Sequence, residues 1–234
     1  VNIFQEGVAR DKSGEKPMVT DRTAARSSRR HYFRRRLRKI ELLRVLVQNN
    51  LCPYLSEEDL LEWKNHKIYP LKEEFLSWQR TDEDLNKNPY HDRYICLTQK
   101  LDLSVVSNRY MLGRALYHMA QRRGFLSNRK ENTKETDGNV KDKIKSLTKL
   151  IKESGCTYLG EYFYRLYEQG GKIRKNYTDR LEHYKREFNA ICEMQDIDAE
   201  LRMALENAIF YQRPLKSQKG QVGHCTFEKS KARC

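Results

Sequence analysis

Eight arginines and one lysine fall within the eighteen residues RTAARSSRRHYFRRRLRK, Arg22 to Lys39, with no aspartate or glutamate among them. A guanidinium is a planar fork of N–H donors that keeps its charge at physiological pH and grips phosphate through two parallel bonds. Such a run is chemistry for a polyanion. Wound as a helix at 100° per residue, Arg22, Arg26, Arg29, Arg30 and Arg36 share one face, spread over about 120°. Arg34, Arg35, Arg38 and Lys39 point elsewhere. Charge on more than one face suits a helix enclosed by folded nucleic acid, whose phosphates follow a curved path. A solvated or protein-binding face is the competing reading, but such faces intersperse glutamate to lower repulsion, and the next acid here is Glu41. A membrane-surface helix needs an opposing apolar face that this stretch lacks.

Two further basic stretches follow. In MAQRRGFLSNRK, Arg122, Arg123, Arg129 and Lys130 surround a helix end, where they either contact RNA or complement the helix dipole. In YQRPLKSQKGQVGHCTFE, Arg213, Lys216 and Lys219 lie near glycines that let backbone amides approach phosphate. Tyr158, Tyr162, Phe163, Tyr164 and Tyr167 crowd one predicted helix, as core packing or as a base-stacking surface. Enzyme chemistry is not legible. H-E-x-x-H, G-x-S-x-G and G-x-x-x-x-G-K-[ST] are all absent, and Asp82, Glu83 and Asp84 read as a polar turn. His224-Cys225 with Cys234 is half a zinc site without a second pair. The expectation is no catalytic residue and no metal ligand.

The elements that must carry these residues read as all-α. Val1–Val8 is a short extended run, followed by a polar connector, ARDKSGEKP, that alone makes no sheet. A long helix over 21–50 follows, capped by Thr20 or Asp21, and Leu37, Ile40, Leu43, Leu46 and Val47 give its second half an apolar face. That half should dock on a core and leave the basic half projecting. Residues 51–234 read as a multi-helix domain. Ser56 and Asp59 form a capping box. A helix capped by Ser107 carries the stripes Met111, Ala115, Met119 and Leu112, Leu116, Ala120, with Gly124 as its C′ residue. Residues 127–139, without an apolar side chain, read as a mobile loop. Helices over 140–154, 158–169, 179–194 and 198–212 complete the domain, before a basic, irregular tail.

Composition agrees. The 234 residues carry a net charge of +14, and nine of the basic residues sit in the arginine stretch, so the excess is localised. No apolar run is long enough to span a membrane, and six scattered cysteines without a C-x-x-C read as reduced and mostly buried. The first residue is Val1 and the start lacks the order of a signal peptide, so the chain reads as an excised piece of a longer protein.

Three stretches, taken together, resemble a known family. DRTAARSSRRHYFRRRLRKIELLRVL is similar to the arginine-rich bridge helix of the type II CRISPR RNA-guided DNA endonuclease (the Cas-nine effector), and VNIFQEGV before it looks like the end of that family's first RuvC segment. ALYHMAQRRGFLSNRK and QRPLKSQKGQVGHCTFE resemble recognition-lobe motifs of its compact, type II-C-like members, in family order and at family-like spacing. The resemblance implies 1–20 as the end of the RuvC segment and a connector, 21–50 as bridge helix, and 51–234 as recognition lobe. It implies guide RNA and target DNA in heteroduplex as partners, held by their backbone while base pairing carries the specificity. Arg22, Arg26, Arg29, Arg30, Arg34, Arg35, Arg36 and Arg38, with Lys39, are then the expected RNA ligands. Arg129, Lys130, Arg213 and Lys216 are further candidates. The first RuvC aspartate, the HNH domain and the PAM-reading domain have no counterpart here, so the resemblance implies no nuclease activity for this piece. It implies no cofactor either, although the parent enzyme uses Mg²⁺. The implied location is the bacterial cytoplasm. The competing reading is a protein-interaction module, in which an acidic phage-encoded anti-CRISPR inhibitor takes the same arginines.

Overall fold

A computed structural model describes residues 7–11, 14–79, 88–124, 135–174 and 176–211. It is all-α apart from one hairpin. β1 (Val8–Asp11) pairs antiparallel with β2 (Gly14–Pro17), with Val8 opposite Pro17 and Asp11 opposite Gly14. The polar connector expected to make no sheet by itself therefore supplies most of both strands, Ala9–Asp11 and Gly14–Pro17. Gly14, at φ +113, supplies the reversal that a side chain would make costly. Of the extended run expected over Val1–Val8, the first six residues lie outside the described residues.

The hairpin leads directly into α1 (Met18–Gln48). Its 31 residues span roughly 46 Å at 1.5 Å each. The helix starts earlier than the Thr20 or Asp21 cap predicts. Pro17 is the N-cap residue, without a side-chain bond, and the Met18 amide donates to the Gly7 carbonyl at 2.8 Å. Asp21 instead sits in the first turn, where its charge meets the positive helix end.

Met18 to Arg35 are exposed throughout; Ile40, Leu42, Leu43 and Leu46 are fully buried. The second half of α1 packs on α5 (Val106–Arg122) and α9 (Ala199–Phe210). Between lie α2 (Glu57–His66), opened by the Ser56–Asp59 capping box, α3 (Glu73–Gln79) and α4 (Pro89–Thr98). The sequence reading left α3 and α4 out, because each is too short for its periodicity to stand above the surrounding polar residues. The predicted turn at Asp82–Asp84 lies outside the described residues.

α5 is the central helix, with Leu112, Ala115, Leu116, Tyr117, His118, Met119 and Ala120 buried. Ser107 does not cap it. The helix begins after an Asp102 turn, in which Asp102 accepts from the Ser104 amide at 2.9 Å and Arg109 donates to the Leu103 and Ser104 carbonyls. Gly113 lies where the chain leaving α1 crosses α5, and a Cβ there would stand 1.7 Å from the Leu51 carbonyl oxygen. Gly113→Ala is therefore expected to destabilise the fold by about 3 kcal/mol, the upper range of overpacking, as read from urea unfolding midpoints.

α6 (Glu135–Glu153) begins five residues before Val140, so Glu135–Asn139 are helical and not part of a loop; the rest of that predicted loop lies outside the described residues. Each residue that extends an existing helix gains a hydrogen bond without a new nucleation cost, so extension needs no apolar anchor. α7 (Leu159–Glu168) ends before Gly170, at φ +67. Asp179 caps the next helix through the Leu181 and Glu182 amides, but its first turn, Arg180–Lys185, is π-helical before α8 (Arg186–Met194) continues it. One buried cluster joins residues of α1 to those of α9.

Below that cluster lies a polar centre with no exposure. Arg93 donates twice to Glu187, at 2.6 Å each, and Glu187 also accepts from the Gly160 amide at 2.8 Å. Both side chains are 0% exposed. A neighbouring pair, Arg114 to Asp92 at 2.8 and 3.1 Å, ties α5 to α4. Burial pushes the Asp92 carboxyl upward and Arg114 opposes that shift. Cys52, Cys96, Cys156 and Cys192 are buried free thiols, and burial raises Cys52 and Cys192 to about 12. Cys225 and Cys234 lie outside the described residues.

Candidate nucleic-acid interface

The sequence places the arginines; the body decides which of them stay in solvent. Arg22, Arg26, Arg29, Arg30, Arg34 and Arg35 are exposed on the projecting half of α1. None of the six has a carboxylate partner among the described residues. Six like charges without counterions along one exposed rod repel one another, and a polyanion relieves that repulsion.

The other three sit where the rod meets the body. Arg36 donates to the Lys64 carbonyl at 3.1 Å, at the end of α2, and its guanidinium lies 5.4 Å from the Phe33 ring. The Lys39 ammonium sits 5.7 Å from the Tyr117 ring on α5. Burial, with Arg35 adding to it, lowers the Lys39 pKa. Arg38 is half-buried, and its pKa is lowered by burial first and then by Arg180, Arg35 and Arg34. These residues are thus part anchor and part charge.

Arg38 opens onto a cluster that sequence reasoning did not assemble. Arg123, just past α5, and Arg180, at the start of the π-helical turn, both approach it. Gly124 makes the approach possible. At φ +70 it carries no Cβ, and one there would lie 2.5 Å from the Asp179 carbonyl oxygen. The Arg123 guanidinium donates to the Tyr211 carbonyl at 2.6 Å. Burial, then Arg38 and Arg180, push its pKa down to about 9. Three guanidinium groups from three segments, 57 to 142 positions apart (180−123 and 180−38), thus share a recess in which Arg38 and Arg123 are half-buried and Arg180 is buried. Arg123 and Arg38 were visible in sequence as members of basic runs. Arg180 follows a capping aspartate and carried no signal.

This arrangement costs the free chain stability. Burial and two neighbouring guanidinium charges disfavour the charged form of Arg123, which stays protonated, so the penalty is present in full at neutral pH. Arg123→Met is therefore expected to stabilise the unliganded chain by about 1 kcal/mol, after allowance for solvent screening at a half-exposed site. It should weaken polyanion binding at the same time. Thermal melts without ligand, paired with a binding titration, check both signs.

The remaining sequence candidates divide. Arg129, Lys130, Arg213, Lys216 and Lys219 lie outside the described residues, as does the His224–Cys225–Cys234 group. Arg122 is exposed at the end of α5. The aromatic cluster of α7 is mixed. Phe163 is buried, Tyr167 stacks on Tyr90 with ring centres 6.0 Å apart, and Tyr164 stacks on Tyr94 at 4.7 Å. These pairs join α7 to α4, which makes the cluster chiefly packing. Among the described residues no group of acids, histidines and cysteines is arranged to hold a metal, and no helix is long and apolar enough to cross a membrane.

Neither a protein-family profile nor a curated protein matches the chain. Solved structures do. Campylobacter jejuni Cas9 in complex with sgRNA and target DNA (AGAAACA PAM) aligns at 20% identity with a TM-score of 0.59, over 84% of this chain and 25% of that one. Corynebacterium diphtheriae Cas9 in complex with sgRNA and target DNA aligns at 19% identity with a TM-score of 0.50, over 82% of this chain and 21% of that one. The likeness is one of fold: this helical body with its projecting α1 has the fold of a portion of Cas9. The chain spans about a quarter of the length of the proteins it matches.

Proposed function

We propose that this chain is the guide-RNA-binding portion of a Cas9-type RNA-guided DNA endonuclease of the bacterial cytoplasm, with α1 as its bridge helix and the helices after it as its recognition lobe. The supporting observation is the exposed half of α1, where six arginines without carboxylate partners among the described residues project from a body with the fold of part of Cas9. In this reading Arg22, Arg26, Arg29, Arg30, Arg34 and Arg35 take guide phosphates along the rod. Arg36, Arg38 and Lys39 take those at its root, where Arg123 and Arg180 close the recess. Arg129, Lys130, Arg213 and Lys216 are further candidate RNA ligands. Target DNA paired to the guide is held through the same backbone contacts. The chain binds and does not cleave.

A salt series tests this. The six rod contacts alone should give a log–log slope of guide-RNA affinity against salt of roughly −4 to −5, at 0.7–0.9 per contact, and the root contacts should steepen it further. A slope near zero would overturn the reading, and Mg²⁺-dependent DNA cleavage by the purified chain would overturn its non-catalytic part. A second reading rests on Tyr32 and Phe33, 68% and 43% exposed among the arginines. Large exposed rings beside guanidinium groups suit an acidic protein of the anti-CRISPR kind, which would compete with RNA in the same titration.

A further inference from the structure

A cleft of about 620 Å³ opens beside α5. Its lining includes the rings of Trp78, Tyr90 and His118 and the cations Arg122, Lys172 and Arg174. Among the described residues no carboxylate lines it; Asp92, bonded to Arg114, is fully buried. The two groups differ in kind. Tyr90 and His118 are packed edge to face, ring centres 4.9 Å apart, and the Trp78 indole is fixed by its bond to the Tyr110 carbonyl at 2.9 Å. The three cations are exposed at the mouth. Between them, His118 is 8% exposed and its Nδ1 has no hydrogen-bond partner. Burial, then Arg93 and Arg122, hold the imidazole pKa well below 6.5, so the ring is neutral. A neutral imidazole nitrogen can meet either a donor or an acceptor on a base edge.

From this geometry we infer that the cleft receives one unpaired nucleotide of a bound RNA, its base against Tyr90 and His118 and its phosphate on Arg122, Lys172 and Arg174. Rings with a π-face and a rim of cations are the chemistry that holds single-stranded bases. The volume lies in the range of small-ligand sites and admits a nucleotide. The position agrees with the path of the backbone. Tyr117 lines the cleft and also lies under Lys39, and Arg122 at its mouth adjoins Arg123 of the arginine recess. A strand that leaves the root of α1 can turn over the end of α5 and drop a base into the cleft. This inference rests on the RNA-binding reading of α1.

The test compares two RNA hairpins with the same number of phosphates, one fully paired and one with a single bulged 2-aminopurine. The 234-residue chain should bind the bulged hairpin about tenfold tighter and quench the fluorescence of the bulged base. Gln121→Trp, which fills the cleft without changing charge, and Lys172→Glu with Arg174→Glu should each reduce that preference to below twofold. Adenosine monophosphate, which has the same base and phosphate, should displace the bulge only at millimolar concentration. Equal affinity for the two hairpins overturns the inference, as does a preference that both variants leave intact. Micromolar binding of the free nucleotide without a bulge preference also overturns it, in favour of a small-molecule site. Absence of binding to the paired hairpin would remove the assignment of α1, while the nucleotide arm still reads the cleft.

Discussion

Reversing two charges in the middle of the rod, Arg29→Glu with Arg30→Glu, should lower guide-RNA affinity by at least about 100-fold near 0.1 M salt, while the unfolding midpoint stays within error of the parent. Both residues are exposed and neither has a partner among the described residues, so the fold loses nothing with them. Each hydrogen bond from a charged donor contributes roughly 1.5–3 kcal/mol, and two of them set the scale of the loss. The salt slope should fall by about 1.5–2, because two fewer counterions are released. The loss should be the same for guides of unrelated sequence, since phosphate contacts carry no base information. A loss confined to particular guides would show that these arginines read bases. An unchanged affinity would remove the rod from the interface.

The second large effect concerns the fold. Glu187→Ala should destabilise the chain by about 4 kcal/mol, because it leaves Arg93 charged and without its partner at a site with no solvent. At roughly 2–4 °C per kcal/mol for a chain of this size, the melting temperature should fall by about 8–16 °C. The Gly160 amide loses its acceptor as well. The informative control is Arg93→Met with Glu187→Leu. Replacing both charges by apolar groups of similar volume removes the desolvation cost together with the attraction, so the double variant should lie near the parent. Equal damage from the single and double variants would show that the pair contributes through its packing shape and not through charge. The predicted penalty has little bearing on RNA affinity at temperatures where the single variant is still folded, because the pair lies in the body and the rod is exposed.

The two predictions separate what was legible in the chain from what was not. The rod was legible because its information is local. Helical periodicity, the missing acids and the apolar continuation from Leu37 all lie within one segment. The same holds for the capping box at Ser56, whose side chain accepts from an amide three positions on. The errors also have local causes. The Ser107 cap was wrong because an Asp102 turn upstream supplies the start of α5. The early start of α1 depends on a bond from Met18 back to Gly7 across a hairpin.

By itself, then, the sequence determined that the chain is helical, that its charge is concentrated on one helix and that half of that helix must dock. Those features are set by residues within a few turns of one another. Only the tertiary structure decided that Arg38, Arg123 and Arg180 share one recess, that Arg93 is neutralised by Glu187 from 94 positions away, and that Trp78, Tyr90 and Arg174 face one cleft. The physical reason is distance along the chain. Charge repulsion and desolvation act over a few ångströms in space, and packing around the buried face of α5 chooses which residues come that close.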